Sequence, residues 1–177
     1  MAQTIIITGG ARSGKSHYAE GMAQQFGTQL GYLATAKALD SEMSERIKTH
    51  QARRGNVWHT IEEPLDLSRS LTENDGLYQC ILIDCLTLWL SNILLHYHEL
   101  GESSEARVMA DVHQLLLLLK ELSTPVIIVS NEVGMGIVPE NRLARMFRDI
   151  AGQANQLLAA EADEVWLVVS GIPIKLK

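Results

Sequence analysis

The stretch ITGGARSGKSHYAE, residues 7–20, decides the fold of this chain. From Gly9 to Ser16 it matches G-x-x-x-x-G-K-[ST] without a mismatch, between an apolar run and a helical pattern. Glycines let such a loop turn its backbone N–H groups onto phosphate oxygens, at the positive end of the following helix. Lys15 is expected to reach the β- and γ-phosphates, and the Ser16 hydroxyl to ligate Mg²⁺. The stretch therefore predicts a nucleotide-binding loop.

Short β-branched runs alternate with longer helical patterns along the whole chain. The predicted strands are residues 4–8, 30–34, 57–61, 80–84, 126–130 and 165–169, and the predicted helices are 15–25, 41–53, 65–73, 86–97, 105–122 and 140–160. Runs such as IIIT, ILID and VIIV are too continuously apolar to have a face in water. The pattern predicts an α/β fold with a mostly parallel central sheet and helices on both faces. Pro64 and Pro139 are expected in the first turns of their helices.

Length, composition and charge favour one globular domain over residues 1–177. The net charge is −6 and no long Lys/Arg run occurs, which argues against a nucleic-acid partner. The chain starts without a basic leader and has no apolar stretch of 18 residues or more, so the sequence predicts no membrane span and a cytoplasmic location. Cys80 and Cys85 flank one strand and are expected to be packing residues.

Five consecutive leucines occupy residues 115–119 of the predicted helix 105–122. A helix that is apolar over more than one face needs a second partner surface. The sequence leaves two alternatives, a fully buried helix or a subunit interface.

Residues that follow the strands are candidates for the site, because ligands of a doubly wound sheet bind beyond the carboxyl ends of the strands. The segments concerned are Ala34-Thr35-Ala36, Glu62, Asp84 and Asn131–Gly136. Asp84 ends the apolar run ILID and is expected to orient Mg²⁺, with an ordinary strand-end or helix-capping aspartate as the alternative. The segment NEVGMG either approaches the ligand or is a plain connection. Glu62 has the same two alternatives, and the following Glu63 and Pro64 look like a helix start.

The stretch EMSERIKTHQARRG, residues 42–55, contains a histidine between basic residues. On a helix, His50 would extend the apolar stripe that includes Ile47, with Arg46 and Arg54 at spacings of four. Neighbouring arginines favour a neutral imidazole, which can act as a base or nucleophile, and they can also bind phosphate. Spacing alone favours a solvated helix end. The remaining histidines, His17, His59, His96, His98 and His113, show no metal-ligand spacing.

Several segments together resemble the bifunctional adenosylcobinamide kinase/adenosylcobinamide-phosphate guanylyltransferase family. They are GGARSGKS, LATAKALDSEMSERIKTHQARR, ILIDC and the C-terminal third from NEVGMG to PIKLK. The resemblance covers nearly the whole chain and is far more specific than the phosphate loop alone. It implies a P-loop NTPase fold of the RecA-like type and a homotrimer.

The resemblance also implies two reactions of cobalamin biosynthesis. ATP or GTP first phosphorylates the aminopropanol hydroxyl of adenosylcobinamide. GTP then guanylylates an enzyme histidine with release of pyrophosphate, and adenosylcobinamide phosphate takes the GMP to give adenosyl-GDP-cobinamide. The family's nucleophile lies in the motif R-I-x-x-H, which in this chain ends at His50. Some relatives carry Glu at position 84 and His at position 49, and neither difference removes a reacting group.

The implied nucleotide contacts fall on the phosphate loop and on four further places. They are Gly9, Gly10, Ala11, Arg12, Ser13, Gly14, Lys15, Ser16, Ala34, Thr35, Ala36, Gln51, Ala52, Arg53, Arg54, Glu62 and Asp84. His50 and Lys15 are the implied catalytic residues, and Ser16 and Asp84 are the expected Mg²⁺ ligands. Arg12, inside the loop, either faces solvent or contacts a phosphate.

Two other functions use the phosphate loop in a different way. A single-function P-loop kinase for another small metabolite would need the loop and Asp84 but would give His50 no covalent role. A nucleotide-dependent switch or assembly subunit would bind nucleotide without turnover. Neither alternative accounts for the resemblance outside the loop.

Overall fold

The computed structural model describes residues 2–36, 57–101 and 104–177. Its strands are β1 (Thr4–Gly9), β2 (Leu30–Ala34), β3 (Trp58–Glu62), β4 (Cys80–Asp84), β5 (Val126–Asn131), β6 (Glu164–Val169) and β7 (Ile172–Lys175). Its helices are α1 (Lys15–Ala23), α2 (Leu67–Asn74), α3 (Leu86–Glu99), α4 (Ser104–Leu119) and α5 (Arg142–Glu161). The predicted helix over residues 41–53 lies outside the described residues.

The strands form one sheet in the order β3-β2-β4-β5-β1-β6-β7. The neighbours from β3 through β6 are parallel, whereas β6 and β7 are antiparallel. The mostly parallel sheet is thus confirmed, and β7 is a strand that the sequence prediction missed. It follows a tight turn in which Ser170 and Gly171 both have positive φ. The Ser-Gly dipeptide between two apolar runs was the available signal for this hairpin.

Each face of the sheet carries its own apolar core. On one face, Ile6 and other strand residues pack against α2, α3, α4 and α5, for example against Leu90. On the other face, Ile5 and Ile7 pack in a cluster that includes Ala19 of α1. Because successive strand residues point to opposite faces, one continuous apolar run supplies both cores. Helices on both faces are confirmed.

The leucines of α4 occupy different environments. Leu115, Leu116 and Leu119 are buried, whereas Leu117 is 66% exposed. A run of five residues passes through more than one helical turn, so it has to leave the buried face. The fully buried alternative is therefore wrong, and the subunit interface stays a prediction.

Two helices begin later than the sequence predicted. The side chain of Asp66 caps α2 by accepting from Arg69 N at 3.0 Å, and that of Asn141 caps α5 by accepting from Ala144 N at 3.0 Å. These caps satisfy N–H groups that have no intrahelical partner. Pro64 and Pro139 precede the caps, so their expected place in the first helical turn is wrong.

A membrane-spanning helix is not among the helices of the described residues, since none of them is both long and apolar enough.

Candidate functional site

The loop of residues 9–16, called the P-loop below, follows β1 at the carboxyl edge of the sheet. Arg12 has φ 56° and Gly14, the N-cap of α1, has φ 94°. Left-handed backbone at alternate positions turns successive N–H groups toward one side and creates a concave anion site. Lys15 donates from Nζ to the Gly10 carbonyl oxygen at 3.0 Å, so its side chain folds back over the loop. The geometry suits a chain of phosphates bound at the start of α1.

The β6–β7 turn packs directly on the P-loop. Gly171 N–H donates to the Ser13 carbonyl oxygen at 2.8 Å. A Cβ atom on Gly14 would lie 3.3 Å from the Gly171 Cα atom, and one on Gly9 would lie 2.5 Å from the Val168 carbonyl oxygen. Gly9 therefore permits a backbone approach that alanine would obstruct, and Gly14 combines a tight contact with a positive φ. The hairpin that the sequence prediction missed thus supports the phosphate site.

Asp84 and Lys15 interact electrostatically across the sheet edge. Lys15 is only 8% exposed, and burial lowers its pKa, while Cys85 and Asp84 act in the opposite direction. Asp84 ends β4, and its Oδ2 atom accepts a hydrogen bond from the Tyr32 hydroxyl at 2.8 Å. The carboxylate of Asp84 is therefore held in place at the end of its strand, near a buried lysine. The helix-capping alternative is wrong, because Cys85 is the N-cap of α3, and the contact of Asp84 with Mg²⁺ stays a prediction.

The end of β2 lies beside the end of β4, since Ala34 pairs with Asp84. Thr35 is fully buried; its Oγ1 atom donates to the Cys85 carbonyl oxygen at 2.8 Å and accepts from Cys85 N at 2.9 Å. Asn92 of α3 donates to the Thr35 carbonyl oxygen at 2.8 Å. These bonds make Thr35 a structural link that fixes the two strand ends, whatever ligand Ala34–Ala36 contacts.

Glu62 ends β3 at the far side of the sheet and is exposed. Four strand spacings separate β3 from β1, about 19 Å, so a ligand touching both Glu62 and the P-loop must extend along the edge. The turn before α2 is organised by Glu63, whose Oε1 atom accepts from Leu65 N at 2.9 Å and Asp66 N at 3.0 Å. Glu63 thus organises the helix start that the sequence indicated, and the contact of Glu62 with a ligand stays a prediction.

The sheet brings the P-loop, Ala34–Ala36, Glu62 and Asp84 to one edge. His50 and the predicted contacts Gln51, Ala52, Arg53 and Arg54 lie outside the described residues. Their roles stay predictions.

The segment NEVGMG, which the sequence indicated as a candidate at this edge, begins with two residues that bond to β1 and α3. Glu132 N–H donates to the Gly9 carbonyl oxygen at 3.0 Å, and Glu132 Oε1 accepts from the Thr8 hydroxyl at 2.9 Å. Asn131 N–H donates to Thr87 Oγ1 at 2.7 Å. No local signal marks Thr87, because its contact with Asn131 joins residues far apart in the chain. These bonds fix the first two residues of the segment at this edge, and the contact of NEVGMG with a ligand stays a prediction.

The donors at this edge fit Mg²⁺ as the metal. No group of three or more His, Cys, Asp and Glu side chains that could enclose an ion occurs among residues 2–36, 57–101 and 104–177. Mg²⁺ bound to phosphates needs only one or two protein oxygens, and it prefers hard ones. The Ser16 hydroxyl and the Asp84 carboxylate are such donors.

Comparisons with known proteins agree on one family. The family described as cobinamide kinase / cobinamide phosphate guanyltransferase matches residues 5–176. The chain is 42% identical over 182 residues to the bifunctional adenosylcobalamin biosynthesis protein CobU of Escherichia coli K12, covering 98% of this chain and 99% of that protein. It is 44% identical over 172 residues to the bifunctional adenosylcobalamin biosynthesis protein CobP of Pseudomonas aeruginosa, covering 97% and 96%.

A solved structure shows the same fold. The flagellar accessory protein FlaH from Methanocaldococcus jannaschii superposes with a TM-score of 0.54 at 14% identity, covering 99% of this chain and 78% of that chain. At this identity the likeness concerns the fold alone. Together with the glycine loop after β1, it confirms the predicted P-loop NTPase fold.

Proposed function

The chain belongs to the cobinamide kinase / cobinamide phosphate guanyltransferase family, and from this premise we propose how its residues carry out two successive transfers. The enzyme acts in adenosylcobalamin biosynthesis, first as adenosylcobinamide kinase and then as adenosylcobinamide-phosphate guanylyltransferase. The observation that supports placing both reactions at this sheet edge is the buried Lys15 of the P-loop, which interacts electrostatically with Asp84. The family match extends over residues 5–176.

In the first transfer, the aminopropanol hydroxyl of adenosylcobinamide attacks the γ-phosphorus of ATP or GTP. The new O–P bond forms while the bond to the bridging oxygen of the β-phosphate breaks, and the nucleoside diphosphate leaves. Backbone N–H groups of the P-loop hold the phosphates, and the Lys15 ammonium stabilises the charge on the transferring group. Burial of Lys15 strengthens this interaction because the surroundings screen charge less than water does.

The Ser16 hydroxyl and the Asp84 carboxylate would hold Mg²⁺ beside the phosphates. The ion, when bound, would supply positive charge to the phosphate oxygens. Tyr32 fixes Asp84 by donating to its Oδ2 atom at 2.8 Å, so the carboxylate does not have to reorient on binding.

In the second transfer, His50 attacks the α-phosphorus of GTP, and pyrophosphate leaves. Adenosylcobinamide phosphate then takes the GMP from the histidine. The P-loop is suited to the departing pyrophosphate, since its N–H groups and Lys15 bind adjacent phosphates. The role of His50 and the contacts of Gln51–Arg54 rest on the family motif R-I-x-x-H, and covalent catalysis divides one difficult displacement into two.

The assembly and location of the enzyme are part of the same proposal. A homotrimer is supported by the family resemblance and by exposed apolar side chains on β7. A cytoplasmic location is supported by the nucleotide substrates and by two free cysteines, as expected in a reducing compartment. The absence of nucleic acid among the partners is supported by the net charge of −6.

Labelled GTP tests this function directly. With Mg²⁺ and GTP labelled at the α-phosphate, we expect label on the protein that is stable to alkali and labile to acid, and that His50→Ala lacks. With adenosylcobinamide and γ-labelled ATP or GTP, we expect labelled corrinoid, and Lys15→Met should lower kcat by at least about 100-fold.

The alternatives give different results in the same assay. A single-function kinase would transfer the γ-phosphate without α-label on the protein, and a switch protein would transfer neither. A folded, GTP-binding wild type that takes no α-label would rule out the guanylyltransferase half.

A further inference from the structure

Asn131, the first residue of the segment NEVGMG, lies at the centre of the sheet edge that carries the P-loop and Asp84. It ends β5, the strand between the P-loop strand β1 and the Asp84 strand β4. In the register of the sheet, Asn131 pairs with Gly9, and Val129 pairs with Asp84. The side chain of Asn131 therefore starts between the two groups that the proposed function assigns to phosphate and metal.

Two neighbours hold the Asn131 amide. Its Nδ2 atom donates to Thr87 Oγ1 at 3.1 Å and approaches Cys85 Sγ at 3.7 Å. Its backbone N–H donates to the same Thr87 oxygen at 2.7 Å. Thr87 is only 4% exposed and lies in the first turn of α3. The amide is thus anchored to a rigid, buried helix start.

The anchor also determines which way the amide faces. Thr87 Oγ1 accepts from the backbone N–H of Asn131 and from its Nδ2 atom, and Cys85 Sγ is a further acceptor within reach of the same Nδ2 atom. Asn131 must therefore present its NH₂ group to Thr87, and Oδ1 points away from this anchor. No donor to Oδ1 occurs among the described residues.

The Asn131 side chain lies next to the start of the P-loop. Its Nδ2 atom is 3.7 Å from Cys85 Sγ, and Asn131 pairs with Gly9, the first residue of the P-loop. The γ-phosphate that Lys15 is proposed to hold would consequently lie close to the Asn131 amide.

We propose that Asn131 is a catalytic residue of the kinase step, whose Oδ1 atom accepts a hydrogen bond from the attacking alcohol and aligns it with the γ-phosphorus. This inference rests on the proposed function. The ligand it adds is the hydroxyl of the corrinoid's aminopropanol arm. As the alcohol oxygen bonds to phosphorus, the bond to the β-phosphate oxygen breaks, and the alcohol proton passes to water because an amide oxygen is too weak a base to keep it. Thr87 is a positioning residue that acts through Asn131.

The two transfers of the enzyme distinguish this role from a structural one. Asn131→Ala should lower kcat of γ-phosphate transfer to adenosylcobinamide by about 100-fold, the effect of losing one transition-state hydrogen bond. The dissociation constant of ATP should change by less than about threefold, because the lost hydrogen bond is made to the alcohol in the transition state and does not contribute to ATP binding. Labelling of His50 by α-labelled GTP should also stay within about threefold, since no alcohol attacks in that step.

Thr87 supplies a matched pair of variants. Thr87→Val keeps the shape but removes the oxygen that holds the amide, and it should lower kinase kcat by about tenfold with little change in ATP affinity. Thr87→Ser keeps the hydroxyl and should retain the wild-type kcat. Asn74→Ala, at the end of α2 where Asn74 Nδ2 donates to Ser70 O at 2.8 Å, is the control for an asparagine remote from the edge.

Each result decides the proposal. A normal kinase kcat in Asn131→Ala, or equal losses in γ-phosphate transfer and His50 labelling, would overturn it. If Asn131→Ala does not fold, as judged by circular dichroism, the Thr87 pair decides: equal kcat in Thr87→Val and Thr87→Ser would overturn it. A wild type that phosphorylates no adenosylcobinamide would instead refute the proposed function on which the inference rests.

Discussion

The Asp84 carboxylate shows how a single residue depends on its neighbours. Its Oδ2 atom accepts the Tyr32 hydroxyl at 2.8 Å, and the Tyr32 ring packs edge-on against Trp58 at a centroid distance of 5.9 Å. Tyr32 thus combines a buried apolar body with one polar contact at the sheet edge. A residue that orients a metal ligand by a hydrogen bond contributes to metal affinity in addition to the ligand itself.

Tyr32→Phe removes that hydrogen bond and keeps the ring packing. We expect the apparent Mg²⁺ dissociation constant in the kinase assay to rise by about tenfold, because Asp84 is no longer held in its binding orientation. The measurement is the initial rate against Mg²⁺ concentration at saturating ATP. Tyr78→Phe is the control, since Tyr78 stacks on His59 away from Asp84. An unchanged Mg²⁺ dependence in Tyr32→Phe would contradict the role of Tyr32.

At the scale of elements, Asp75 joins the end of α2 to the turn before β5. Its Oδ1 atom accepts from Ser123 N at 3.0 Å, from Ser123 Oγ at 3.0 Å and from Thr124 N at 2.8 Å. Gly76 N–H returns a bond to Thr124 Oγ1 at 2.7 Å. These contacts lie at the amino ends of the strands, opposite the site, so they concern stability rather than catalysis.

Asp75→Asn should destabilise the fold by about 1 kcal/mol near pH 7, the usual net value of such a hydrogen bond. Burial raises the pKa of Asp75, but the bonds from Ser123 and Thr124 outweigh it and lower the pKa from 3.8. A carboxyl whose pKa is lower when folded stabilises the protein above its unfolded pKa and loses this contribution as pH falls through the folded value.

The difference in the free energy of unfolding between wild type and Asp75→Asn should therefore become smaller at acid pH. Urea unfolding near pH 7 and near pH 3 measures it. The exposed carboxylate Glu121, replaced in Glu121→Gln, serves as the control. A difference that stays constant over this range would contradict the assigned hydrogen bonds.

At the scale of the whole molecule, β7 is a candidate for the contact between subunits. Two apolar side chains of β7 are exposed, Ile172 at 66% and Ile174 at 46%, and so is Leu176, which directly follows the strand, at 59%. Among the described strands, β7 pairs on one side only, and an apolar edge strand is a template for another chain. Of the five consecutive leucines of α4, Leu117 is the one with a largely exposed side chain.

Ile174→Lys should dissociate the proposed homotrimer, because a charged side chain in an apolar interface loses its water without gaining a partner. Light scattering after gel filtration gives the mass. Leu117→Lys is the matched control and should leave the trimer intact. A wild type of monomer mass would refute the trimer, whereas loss of the trimer in Leu117→Lys alone would place the interface on α4.

Much of the fold could be predicted because its signals are local. The six predicted strands agree with the structure to within a residue or so at their ends, since apolar runs bounded by turn residues mark them directly. Helix starts were predicted less well at Pro64 and Pro139, where a capping side chain moved the start downstream. The strand β7 was missed because four exposed residues carry no burial pattern of their own.

The sequence by itself determined the P-loop, the apolar strands and the place of Asp84 at a strand end, because glycine spacing and hydrophobic period are properties of neighbouring residues. Only the tertiary structure decided that β5 lies between β1 and β4, and that Asn131 therefore meets Thr87 across 44 positions of the chain. It also decided that the β6–β7 turn supports the P-loop. Strand order is a property of the whole sheet, since each pairing depends on which faces the other elements have already covered.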